Sequence, residues 1–233
     1  TQEGYENLLN LATRSALEGM YYKPRVDAEL LKLYGKGLIA LSGPIGGAIP
    51  QAVLAEDTER LKKLVEEYRS YFGHDNLYFE LMDLPNVTGQ AEVNQQLIAY
   101  GKELGVPVVA TCNSHYCRAD DAEAHDVLLC IQKNAQIADP GRFSMRDSDF
   151  SMRPFSELEK AFLHAPEALT NTRVIADRCT VDFQFGKYKI PRFPVPEGRT
   201  EEEELTRLCL EGFAFHYPSA SPEYKARLDY ELS

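Results

Sequence analysis

Three short apolar runs, at residues 38–42, 77–81 and 106–112, are separated by stretches of helical periodicity, and this alternation constrains the fold more than any other feature of the chain. Each run is too short for a buried helix and suits a buried strand. Between the first two, residues 58–72 place Leu61, Leu64, Val65 and Tyr68 on one helical face. Between the second and third, residues 88–104 read as a long helix that Gly105 closes. Strands alternating with amphipathic helices predict βαβ units, and hence an α/β fold with a parallel sheet or barrel.

Ahead of these units, residues 5–17 set Leu8, Leu9, Ala12, Ala16 and Leu17 at helical spacing, with Gly19 as the stop. Residues 21–25 read as an extended connector, because the residue before Pro24 avoids the helical region. Asp27 is placed to cap a short helix over residues 28–34. The loop Gly43-Pro44-Ile45-Gly46-Gly47 has the spacing of neither a P-loop nor a dinucleotide fingerprint, and reads as a tight strand-to-helix turn.

The third run delivers Asn113 and His115 just beyond its end, and a helix then opens with Asp120, Asp121 and Glu123 in its first turn. Ligand-handling groups in α/β folds collect past the carboxyl ends of strands, so His115 is a functional candidate. The other reading is a histidine that bonds only backbone. His125, on the following helix, is read as a core-edge or surface histidine. Glu80 is read as a partly exposed strand-end carboxylate, with a metal-proximal position as the alternative. Beyond Gln132, residues 134–153 are polar and irregular around the turn Asp139-Pro140-Gly141. Helices are expected at residues 156–163 and 166–179, the second opened by Pro166. Residues 187–198 form a proline-punctuated linker. Thr200 then starts a helix whose acidic run, Glu201, Glu202, Glu203 and Glu204, complements the helix dipole.

Composition narrows the function classes. The 233 residues allow one large domain or one and a half smaller ones. No apolar run approaches the ~18 residues of a membrane span, and the polar, acidic start has no basic-then-apolar targeting pattern. Five cysteines in an odd, scattered set read as reduced thiols, which predicts a cytoplasmic protein. Cys112, His115, Cys117, His125 and Cys130 lie close in sequence, but without a Cys-x-x-Cys pair they do not read as structural zinc. A net charge of −11 argues against a principal nucleic-acid-binding face.

Several long motifs occur in an order that carries further meaning. Tyr21-Tyr22-Lys23-Pro24-Arg25-Val26, Gly37-Leu38-Ile39-Ala40-Leu41-Ser42-Gly43, Asn113-Ser114-His115-Tyr116, the run 121–132, and the stretch 187–196 resemble the bacterial replicative DNA polymerase III alpha subunit family. The resemblance implies that residues 1–186 are the later part of a PHP (polymerase and histidinol phosphatase) domain. Residues 187–199 would be a proline-rich linker, and 200–233 the helical start of the palm region. The implied fold is a partial, distorted parallel β/α barrel followed by a helical connector.

In that family the barrel can hold divalent metals (magnesium, zinc or manganese) at the carboxyl ends of its strands. In some members the cluster supports a 3′–5′ exonuclease through a metal-activated hydroxide, and in others the domain is structural. Carried over residue by residue, a cysteine ligand falls on Pro44, which has no donor side chain. The family's Asp-x-His pair falls on Asn113 and His115, leaving a vestigial metal site with one competent ligand and a neutral amide oxygen. The family's early paired histidines would lie before Thr1. No catalytic residue and no cofactor is therefore expected in this chain, the divalent metal belonging to the parent protein. Asp229 and Glu231, on an evident helix at the end of the chain, do not read as the paired aspartates of a palm. The resemblance thus implies a polymerase segment with a structural or partner-docking role. Its expected partners are the remainder of the alpha subunit, the proofreading exonuclease subunit, and DNA through other parts of the parent. The competing readings are a free-standing PHP-type metal-dependent phosphoesterase or 3′–5′ exonuclease, and a non-catalytic binding module.

Overall fold

The computed structural model describes residues 1–188 and 190–233; Lys189, in the proline-punctuated stretch, lies outside the described residues. The chain divides into two compact units, Thr1–Asp182 and Phe183–Ser233.

In the first unit, α1 (Gln2–Leu17) and α2 (Ala28–Tyr34) precede β1 (Ala40–Leu41). Then follow α3 (Ala48–Leu54), α4 (Thr58–Phe72), β2 (Leu77–Met82), α5 (Gln90–Leu104) and β3 (Val108–Thr111). The unit ends with α6 (Ala122–Lys133), α7 (Phe155–Ala161) and α8 (Pro166–Arg178). The three strands form one parallel sheet in the order β1-β2-β3, so the α/β class read from the alternation holds. β2 is central and buried almost throughout, as a parallel strand covered on both faces must be. Phe79 and Leu81 point into the main core with Ile49, Leu61, Val65, Val93, Leu97 and Phe162. Met82, with Leu84 and Phe150, seeds a smaller cluster that Tyr116 and Met145 join.

Local chemistry explains most boundaries. The Asp27 and Asp57 carboxylates each accept the amide of the third residue beyond, Leu30 and Arg60, at 2.9 Å, and so start α2 and α4. Gly105 adopts the left-handed conformation, with φ at 65°, that ends α5. Two elements depart from the sequence reading. The strand expected over 38–42 is ordered as β only at Ala40–Leu41 and is half-exposed. Its approach is bent by Gly37, which sits at φ 80°. The strand-to-helix turn at residues 43–47 leads into α3, whose span the sequence does not mark: it is seven residues long, carries Pro50 in its first turn, and has no side-chain cap. Pro50 is tolerated there because the first-turn amides have no intrahelical partner.

The second unit holds α9 (Glu201–His216) and α10 (Pro222–Glu231). Thr200 opens α9 with a capping box: its hydroxyl accepts the Glu203 amide, and the Glu203 carboxylate accepts the Thr200 amide. One member of the acidic run, Glu204, is buried between Arg199 and Arg207, which lower its carboxyl to about 2, Arg207 contributing most. Among the described residues no helix is long and apolar enough to cross a membrane.

Candidate functional site at the strand ends

A row of hydrogen bonds ties the three strands together near their carboxyl ends. Ser42, just past β1, accepts the Glu80 amide on its hydroxyl at 2.9 Å. Thr111, the last residue of β3, donates its hydroxyl to the Glu80 carboxylate at 2.7 Å. Glu80 is thus a half-buried strand-linking acceptor, which matches the plainer of its two sequence readings.

Beyond Thr111 the chain must turn sharply. Asn113 makes that turn with φ at 46°, a left-handed conformation that asparagine tolerates better than most residues. Its side chain is exposed. The next three residues then pair with a distant segment. The His115 amide donates to the Phe150 carbonyl at 2.8 Å, and the Met152 amide donates to the Tyr116 carbonyl at 3.1 Å. These bonds make a parallel bridge between Tyr116 and Ser151. The Phe150 amide donates to the Tyr116 hydroxyl at 3.1 Å, and the Ser114 hydroxyl donates to the Ser151 carbonyl. The rings follow the backbone. His115 lies with its centroid 5.5 Å from His125 and 5.7 Å from Phe150, and Tyr116 lies 5.3 Å from His125. The two histidines separated by ten positions in sequence are therefore neighbours, and His125 is half-buried between the ring of Tyr116 and that of His115.

The irregular stretch that carries Phe150 is pinned at both ends. Asp126 is 2% exposed on the inner face of α6 and takes two bonds from Arg142, at 2.7 and 2.5 Å, and one from Ser144 at 2.8 Å. The Arg142 guanidinium holds its carboxyl down at about 2, against the opposing pull of burial, with help from Ser144. At the other end, Arg153 bonds the Asp83 carboxylate at 2.6 Å, immediately after β2. Asn86 also donates to the Asp147 carbonyl.

This donor set does not fit a metal cluster. Among the described residues no three His, Cys, Asp or Glu side chains gather so as to hold an ion. Pro44 offers no donor, Asn113 offers at most a neutral oxygen, and His115 and His125 are both neutral-ring ligands. Two or more divalent ions need anionic bridging ligands to offset their mutual repulsion. Cys130 is buried and Cys117 is exposed. The sequence signal that could have found the Asp126 clamp is an aspartate inside an apolar stripe, since Asp126, Leu129 and Cys130 share the buried face of α6. Nothing local could have found Phe150.

The PHP domain family matches residues 1–84. The chain is 40% identical over 233 residues to the DNA polymerase III subunit alpha of Borreliella burgdorferi, covering 99% of this chain and 20% of that protein. It is 40% identical over 228 residues to the Thermus aquaticus subunit, covering 94% and 18% respectively. It is 35% identical over 232 residues to the Treponema pallidum subunit, covering 99% and 20%. The chain therefore spans about a fifth of the length of these curated relatives.

Proposed function

We propose, because this chain belongs to the DNA polymerase III alpha subunit family, that it serves template-directed DNA synthesis as the PHP-domain segment of a larger polymerase. In this reading residues 1–186 are part of a distorted β/α barrel, 187–199 a linker, and 200–233 the start of the palm region. The barrel's metal site is degenerate, and the segment's contribution is architectural: it supports the palm and offers a docking surface for the proofreading exonuclease subunit. DNA is engaged by other parts of the parent, and any divalent metal the polymerase needs is held there too.

One observation carries the reading. Where the resemblance puts an Asp-x-His pair, the segment after β3 holds Asn113 in a left-handed turn and an exposed His115 in tilted and edge-on contact with the rings of His125 and Phe150. That arrangement supplies no anionic ligand. Behind it, the Glu80 carboxylate accepts the Thr111 hydroxyl and links β2 to β3.

An antibody raised against this chain tests the reading in the source cells. The expected result is a native protein several times larger than 26.3 kDa that extends a primed template. Its 3′–5′ exonuclease activity, if it has any, is unchanged by His115→Ala. A band near 26.3 kDa without primer extension would overturn the polymerase assignment. Exonuclease activity abolished by His115→Ala would overturn the degenerate site.

A further inference from the structure

The strand-end site still needs something to hold its parts together. Three pieces of chain meet there: the end of β3, the first turns of α6, and residues 134–153. In a metal-bearing barrel end, ions joined to several ligands do this cross-linking. Here the donor set cannot, yet the pieces are closely joined.

We propose that Tyr116, His125 and Phe150 form a metal-independent plug that takes over this cross-linking, with the pairing of residues 114–116 and 150–152 as its backbone half. The proposal rests on the reading of this chain as a PHP segment without a metal cluster. Three observations support it independently. First, each of the three pieces contributes a ring: His115 and Tyr116 from the end of β3, His125 from α6, and Phe150 from the irregular stretch. The centroid separations of 5.3 to 5.7 Å lie in the range where tilted and edge-to-face aromatic pairs attract. Second, Tyr116 is bonded at both ends to the same segment. Its hydroxyl accepts the Phe150 amide and its carbonyl accepts the Met152 amide, so it grips residues 150–152. Third, the Phe150 ring is 6% exposed and packs with Met82 at the end of β2, which extends the link to the central strand. The plug therefore links β2, the segment after β3, α6 and the irregular stretch through ring contacts and paired backbone.

The test uses the whole 233-residue chain and two readouts. Thermal unfolding is followed after treatment with EDTA and then with added manganese or zinc. Amide hydrogen exchange is followed at His115, Phe150 and Met152, whose amides make the bonds described. The variants are Phe150→Ala, Phe150→Leu, His125→Ala and Tyr116→Phe, with His115→Ala for the metal experiments. We expect no shift in melting temperature with chelator or metal. We expect Phe150→Ala to accelerate exchange at the three amides at least tenfold while amides of α4 and α5 keep their protection. His125→Ala gives a smaller acceleration at the same sites, Phe150→Leu restores most of the protection, and Tyr116→Phe frees the Phe150 amide selectively. If the metal experiments are silent but Phe150→Ala and His125→Ala leave the three amides unchanged, the plug is wrong and the degenerate-site reading stands. If metal raises the melting temperature and His115→Ala removes that rise, ions do the cross-linking and both ideas fall. Should Phe150→Ala not fold, His125→Ala and Tyr116→Phe still decide, because unchanged exchange in both overturns the plug.

Discussion

Asp126 shows how one side chain organises a segment that has no regular structure. A carboxylate this buried would lose its hydration without return, were it not for the fork of Arg142 and the hydroxyl of Ser144. Its carboxyl sits at about 2 in the folded chain, against ~3.9 for an aspartate in an unfolded one. A depressed folded value means that the unfolded state binds the proton first. The stabilisation is therefore complete above the unfolded value and is lost as pH falls towards about 2. Acid titration of the wild-type chain should show the melting temperature falling across that window. Asp126→Asn should melt several degrees lower at neutral pH and show a shallower fall in acid. An unchanged slope in the variant would remove Asp126 from the acid response. Arg142→Ala should be worse than Asp126→Asn, because it leaves a buried charge without its partner.

At the scale of elements, helices are placed by their first turns. The first turn of α1 lies directly on the chain leading into β1. Thr1 caps the Gly4 amide, Asn7 donates to the Lys36 carbonyl at 2.9 Å, and Lys36 pairs with Glu3 at 3.0 Å. Gly4 makes the approach possible, since a Cβ there would stand 2.0 Å from the Gly37 carbonyl oxygen. Gly4→Ala should therefore unseat α1. The expected outcome is loss of amide protection over residues 2–17 with α4 and α5 still protected; protection retained along α1 would show that the contact yields. The same dependence on first turns decides what could be read from sequence. The span of α2 was legible because Asp27 stands where it begins, and that of α4 because Leu61, Leu64, Val65 and Tyr68 share one helical face. The seven-residue α3 was not, since Gly47 gives it no side-chain cap and Pro50 reads as a breaker. At the site, the position of Asn113 and His115 past β3 followed from the end of the apolar run. The partnership of Tyr116 with residues 150–152, and of His115 with His125, did not. Such pairings bridge separations of up to 36 positions and leave no period in the sequence.

At the scale of the first unit, the two edges of the sheet are treated unequally. The outer edge of β3 is covered by α8, where Asn171 donates its side-chain amide to the Val108 carbonyl at 2.8 Å. The outer edge of β1 carries no further strand among the described residues. A cavity of about 400 Å³ lies next to β1, lined by Gly4, Leu8, Leu38, Leu41, Ile175 and Arg178 among others. Leu8 and Leu41 are 50% and 37% exposed. An open edge flanked by apolar side chains is a template for pairing with another chain. The opposing force is the net charge of −11, which makes like chains repel. That repulsion is screened beyond ~8 Å at physiological ionic strength, whereas the apolar contact is not weakened by salt. The balance predicts that the isolated chain associates as its concentration rises, and more strongly in high salt than in low. Sedimentation velocity across a concentration series at two salt levels measures this directly. Leu41→Lys, which puts a charge on the open edge, should return the chain to monomer without lowering its melting temperature by more than a few degrees. A wild-type chain that stays monomeric at every concentration and salt level would show that the short β1 edge is already protected by its own flanks. In that case α1, seated over Gly37, would be the element that shields it.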